Sequence, residues 1–134
     1  VAKKNAGNLG ANVTFLHGDF LQPLIKENIN PHVIVSNPPY IAYTERQQLS
    51  DTVEKYDPEI ALFAENNGLA AYETIAEQIK LLPKRSERIV IFEIGHGQGE
   101  AVTDIMKRTF LSCDVSVLQD INGKNRIVSV KIFQ

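Results

Sequence analysis

The stretch VIVSNPPYIA, Val33 to Ala42, decides how this chain is read. Residues 32–36, HVIVS, form a continuous apolar run of strand length, which predicts a strand buried on both faces. The run breaks at Asn37-Pro38-Pro39-Tyr40. Proline at 38 turns Asn37 away from the helical region and fixes its own φ, and Pro39 restricts Pro38 in the same way. Neither proline has an N–H to compete for a ligand. In an open α/β sheet, ligands bind beyond the carboxyl ends of the strands, where Asn37 stands. Asn37 Oδ1 and the Pro38 carbonyl are two immobile acceptors suited to the two hydrogens of a planar NH₂ group. Such a nitrogen is a poor nucleophile because its lone pair is delocalised. Gripping its hydrogens favours a more tetrahedral nitrogen with the lone pair directed forward, a gain of positioning and preorganised dipoles. Tyr40 adds a flat wall for a planar substrate. A plain proline turn is the structural alternative; the complete tetrad directly after a buried strand favours the functional reading.

Working outward, the elements follow from periodicity. The first ten residues read as part of a helix, with Gly7 or Gly10 as its stop. Residues 13–16, rich in Val, Thr and Phe, predict a short strand ending at Gly18-Asp19. LQPLIKENIN is a short helix or turn. Residues 41–67 have no clean period and end in the Asn66-Asn67-Gly68 turn signal, so they read as a substrate-side insert. From Gly68 to Leu82, apolar residues at 69, 72, 75, 76, 79 and 82 predict an amphipathic helix that Pro83 stops. Residues 88–94 are a second buried strand. GEAVTDIMKRTF predicts a helix with Val102, Ile105, Met106 and Phe110 on one face. DVSVLQD and NRIVSVKIF are strands of a hairpin turned through Asn122-Gly123. Helices interleaved with buried strands predict an α/β sheet with helices on both faces, made mixed by one antiparallel strand in the closing hairpin.

Composition narrows the class. The chain has 134 residues, 43% hydrophobic and 22% charged, which suits one domain. Fourteen basic and sixteen acidic residues leave a net charge of −2, too weak a field to steer the chain to nucleic acid or an anionic membrane. One cysteine, Cys113, excludes an intrachain disulfide and fits a reducing cytoplasm. Cys113 with scattered His17, His32 and His96 makes no metal-ligand cluster, so no metal is expected. No apolar run approaches the ~20 residues of a membrane span.

The motifs resemble those of a known family. NPPY after VIVS is the amino-methyltransferase signature of S-adenosylmethionine-dependent enzymes acting on planar NH₂ groups. NVTFLHGDF, NPPYIA, YDPEIAL, GLAAYETI, FEIGHGQGEAV and NGKNRIVSV, in this order, resemble HemK-type protein-(glutamine-N5) methyltransferases acting on peptide chain release factors. FAENNGLAAY departs from the pattern by lacking a Gly-Gly-acid run. The resemblance implies a Rossmann-like methyltransferase sheet and S-adenosyl-L-methionine as cofactor. It implies that Asn37, Pro38, Pro39 and Tyr40 hold the glutamine amide, with Asn37 also near the methyl donor. It further implies that Asp19 accepts from the adenine amino group while Phe20 packs on the adenine ring. From local sequence alone, Asp19 serves equally as a helix N-cap.

On this reading residues 1–134 are the C-terminal part of a catalytic domain. Its first strands, the loop for the methionine end of the cofactor and an N-terminal recognition domain lie elsewhere, leaving the piece impaired alone. A second reading competes. Glu93-x-Gly95-x-Gly97-x-Gly99 between a strand and a helix, with Asp120 ending a later strand, matches a glycine-rich cofactor loop and its ribose acid in a permuted order. A hairpin turn follows Asp120 where a helix belongs, so Gly95 to Gly99 read better as a tight turn and Glu93 as a polar group near the substrate end. Rival functions are an adenine-N6 methyltransferase on DNA or RNA and a non-catalytic binding module. The insert carries Glu45, Asp51, Glu54, Asp57, Glu59 and Glu65 against Arg46 and Lys55, which disfavours a nucleic-acid backbone beside it. The intact tetrad disfavours a module without chemistry.

Overall fold

The computed structural model describes residues 2–10, 12–38 and 68–134. Pro39, Tyr40 and the insert 41–67 lie outside the described residues. The elements are α1 (Ala2–Leu9), α2 (Gln22–Lys26), β1 (Val33–Ser36), α3 (Ala70–Leu81), β2 (Glu87–Glu93), α4 (Gly99–Thr109), β3 (Cys113–Gln119) and β4 (Asn125–Phe133).

The four strands form one sheet in the order β1-β2-β4-β3. β1 runs parallel to β2, with Ile34 opposite Val90 and Ser36 opposite Phe92. β4 is antiparallel to both β2 and β3, so among the described strands it is the one reversed member of a mixed sheet, as the hairpin signal predicts. Ile34, Val90, Phe92, Val128, Val130 and Ile132 alternate onto one face and are buried. Against them pack Tyr72, Ile75, Ala76, Ile79 and Leu82 of the α3 segment, and Val102, Ile105, Met106 and Phe110 of the α4 segment. The apolar spacing of both helices therefore marks their packed faces. Tyr72 meets Phe92 edge-on at 5.2 Å. Each side chain fully buried in such a core contributes about 1.5–3 kcal/mol.

Local sequence explains the ends. Pro23 occupies the first turn of α2, where its missing N–H costs nothing. Leu82 ends α3 in an extended conformation, φ −71° and ψ 158°, which is what the following Pro83 demands. Lys107 and Arg108 close α4, complementing its dipole.

Three expectations are corrected. Residues 13–16 are not a strand; Val13 and Leu16 are exposed. Their strand propensity finds no neighbouring strand to pair with among the described residues, and propensity without a ladder does not make a strand. β1 is not buried on both faces: Ile34 is buried, but Val35 is 72% exposed and Val33 50%. β1 lies at the edge of the sheet that the described residues form, and the described helices that contact the core cover one face only. The expectation of helices on both faces therefore fails for the described residues. Among these, no helix is long and apolar enough to cross a membrane.

Candidate active site

The carboxyl ends of the parallel strands β1 and β2 lie side by side. Ser36 pairs with Phe92, so the register carries Asn37 to the neighbourhood of Glu93. Asn37 is exposed and Pro38 is buried. The side chain that would meet a ligand is thus open, and the ring that fixes the backbone is packed. Pro39 and Tyr40, the rest of the expected acceptor site, fall outside the described residues. Glu93 is exposed, so it is not the satisfied buried carboxylate that a structural role predicts.

The end of β2 is tied from two sides. Tyr72, fully buried on α3, donates its hydroxyl to the Glu93 carbonyl at 2.8 Å. Gln98 accepts from the Gly95 N–H at 2.9 Å and donates to the Gly68 carbonyl at 3.4 Å. Gln98 N–H also closes the turn onto the Gly95 carbonyl at 3.0 Å. Gly95 to Gly99 therefore form the tight strand-to-helix turn expected of them. Gly68 is buried with φ +83°, a left-handed conformation that favours glycine, at the entry to α3.

Asp19 and Phe20, expected at the adenine, are both exposed and precede α2. Gln78 attaches the segment to α3, accepting from the Leu21 N–H at 2.7 Å and donating to the Asp19 carbonyl at 3.4 Å. The two halves of the expected site thus sit on separate supports, one on α3 and one on the β1–β2 edge, joined through α2. Phe20 has φ +49°, an uncommon conformation for a residue with a bulky side chain.

Asp120 is accounted for by its own turn. Its Oδ1 accepts from the Asn122 N–H at 2.8 Å and the Lys124 N–H at 3.0 Å, and its Oδ2 pairs with Arg126 at 3.1 Å. The Lys124 N–H foremost, with Arg126 and Asn122, holds its carboxyl below the usual carboxylate range.

Three residues with roles here escaped sequence reading: Tyr72, Gln78 and Gln98. Tyr72 was legible only as a core aromatic. Gln78 lies among the buried positions 75, 76 and 79, and a polar residue in an apolar stripe is a signal that it has buried partners. Gln98 was hidden by the glycine spacing around it.

The architecture is a mixed α/β sheet, with the Asn37-Pro38 corner beyond β1 and an antiparallel strand in the closing hairpin. No family model matches the chain. It is 45% identical over 134 residues, its whole length, to the release factor glutamine methyltransferase of Bacillus subtilis (strain 168). It is 41% identical over 98% of its length to that of Staphylococcus aureus (strain NCTC 8325 / PS 47). A solved release factor-specific protein-(glutamine-N5) methyltransferase from Alicyclobacillus acidocaldarius overlaps 90% of this chain and 100% of its own, with a TM-score of 0.45 and 17% identity, too distant to add to the sequence match. Along its whole length the chain is related to release factor glutamine methyltransferases. It spans about half the length of these relatives, 46% and 47% of the two named.

Proposed function

We propose that this chain carries the acceptor side of an S-adenosylmethionine-dependent methyl transfer to the side-chain amide of a glutamine, the one in the Gly-Gly-Gln loop of peptide chain release factors. The observation that supports it best is the pairing of an exposed Asn37 with a buried Pro38 at the end of β1. The relatives, which are release factor glutamine methyltransferases, support the substrate. Asn37 Oδ1 and the Pro38 carbonyl each accept one amide hydrogen, while Pro39 and Tyr40 complete the grip. Holding both hydrogens localises the lone pair on nitrogen. The nitrogen becomes acidic only on forming its new bond to carbon, so its surplus proton leaves to water without a dedicated base. Most of the rate enhancement is positioning by dipoles that need not reorganise.

Asp19 and Phe20 fit the adenine end of the cofactor. Asp19 offers an exposed carboxylate to an amino group, and Phe20 is 39% exposed, leaving ring surface for stacking. Bound there, the cofactor supplies an electrophilic methyl on a sulfonium. This chemistry and its substrate belong to translation termination in the cytoplasm.

Transfer of labelled methyl to purified release factor, with DNA in parallel, tests the reading on the protein in its full encoded length. Release factor should be labelled and DNA should not. Asn37→Ala should lower the rate by about 10²–10³-fold, the loss seen when one preorganised hydrogen-bonding group is removed. Because Asn37 is exposed, the variant should keep the parent's unfolding temperature. Labelled DNA, or full activity in Asn37→Ala, would refute the assignment.

A further inference from the structure

The segment from Gly18 to Pro23 is held in place more firmly than a surface loop needs to be. A Cβ on Gly18 would run into the Pro23 ring, so the turn closes too tightly for any residue but glycine. Gln22 N–H returns to the Asp19 carbonyl at 3.0 Å. Between these contacts Phe20 adopts φ +49°. Strain of this kind persists only where surrounding structure over-determines it.

The over-determining group comes from 57 residues away. Gln78 is 6% exposed and lies on the packed face of α3. Its Oε1 accepts from the Leu21 N–H at 2.7 Å, and its Nε2 donates to the Asp19 carbonyl at 3.4 Å. One amide thus brackets Phe20 from both sides, with the donor end before it and the acceptor end after it. A side chain with both a donor and an acceptor on one rigid plane is needed for this; Leu or Met at the same helical position would fill the space and bridge nothing.

We infer that Gln78 is the positioning residue of the cofactor site, bridging Asp19 and Leu21 so that Phe20 is held in its left-handed conformation with Asp19 beside it. The assignment rests on the reading that Asp19 and Phe20 meet the adenine. Gln78 touches neither cofactor nor substrate, and its effect is on the fraction of molecules whose loop is competent to bind. Apparent affinity falls in proportion to that fraction. Loss of the bridge should therefore weaken cofactor binding and leave the turnover of the saturated enzyme alone.

The test uses the protein in its full encoded length, with S-adenosylmethionine binding read by calorimetry and KM and kcat read separately. Gln78→Met should raise Kd and KM for S-adenosylmethionine about tenfold, with kcat within about twofold of the parent. Gln78→Glu keeps an acceptor for the Leu21 N–H and loses the donor to Asp19, so its KM should rise about two- to fivefold. Parent-like cofactor affinity in Gln78→Met overturns the assignment, as does a fall confined to kcat. If Gln78→Met does not fold, Gln78→Glu decides: a raised KM supports the bridge and an unchanged one refutes it. Asp19→Ala and Phe20→Ala serve as the separate control. If both bind the cofactor as the parent does, the adenine reading itself fails, whatever Gln78 does.

Discussion

Replacing Arg88 with methionine is the sharpest test of how this fold is held. Arg88 begins the buried stretch of β2 and is fully buried, yet its partners among the described residues are uncharged oxygens. Its Nε donates to the Pro31 carbonyl at 3.0 Å, and its Nη2 donates to Asn30 Oδ1 at 2.6 Å and to the Pro83 carbonyl at 2.7 Å. The guanidinium therefore joins the loop entering β1 to the end of the α3 segment. Burial, and then the nearby Arg85, lowers its pKa from the ordinary arginine value, so the site resists the charge it uses. Three hydrogen bonds from a charged donor contribute about 1.5–3 kcal/mol each before opposing terms. The opposing terms are substantial. Nη1 is buried without a partner, desolvation of the cation is relieved on substitution, and Asn30 is exposed enough for water to replace the lost donor. About 3 kcal/mol of net loss remains, the upper range for a single substitution. For a chain of this size that lowers Tm by about 10 °C. Arg88→Lys should lose most of this as well, because one ammonium cannot span the fork. Thermal unfolding by circular dichroism, with urea unfolding alongside, measures it. A Tm within about 2 °C of the parent for Arg88→Met would refute the argument, since the three segments would then hold together without their common donor.

Two further predictions concern the turns. Asp120 has its carboxyl pKa lowered, so its stabilising contribution is present above the unfolded carboxylate range and lost as pH falls through the folded value. The Tm gap between the parent and Asp120→Ala should accordingly be open at pH 7 and narrow as acid protonates the folded carboxyl, and a gap independent of pH would refute the linkage. Gly68→Ala should destabilise by about 1–2 kcal/mol because φ +83° is costly for any residue with a Cβ. Gly97→Ala, where a Cβ meets nothing within 4 Å, should be neutral or slightly stabilising. Equal losses at both positions by urea unfolding would contradict the packing described.

Legibility in the sequence followed the kind of information each element carries. α3, α4, β2 and the hairpin were readable because their apolar spacing states which side is packed, and one packed side suffices to place them. β1 was misread because a continuous apolar run reports hydrophobicity without saying which layers cover it; Val33 and Val35 face no described helix. The 13–16 strand was misread because β structure depends on a neighbour as well as on Val, Thr and Phe. Arg88 and Gln78 were invisible as core residues, since their chemistry is ordinarily a surface one. At the candidate site, the end of β1 just before Asn37-Pro38 was legible from the proline restriction alone. The residues that stiffen their surroundings act across sequence separations that no local pattern reports.

The glycine-rich turn shows why spacing by itself does not assign chemistry. A nucleotide cradle needs outward backbone N–H groups and an acid with an oxygen to spare. Gly95 has its N–H taken by Gln98 Oε1 within the turn, and Asp120 has one oxygen on two backbone N–H groups and the other on Arg126. Gln98 then reaches Gly68 with its amide, and Tyr72 holds the Glu93 carbonyl beside it. Each of these bonds stiffens the carboxyl end of β2. β2 in turn is laddered to β1 up to Ser36 and Phe92, one residue short of Asn37. A site that works by fixing two acceptors around an NH₂ group is sensitive to such support, because a displacement of about 1 Å costs on the order of 10²-fold in rate. The Gly95–Gln98 bond, which takes one N–H away from any such cradle, is therefore among those that give the Asn37-Pro38 corner a rigid neighbour.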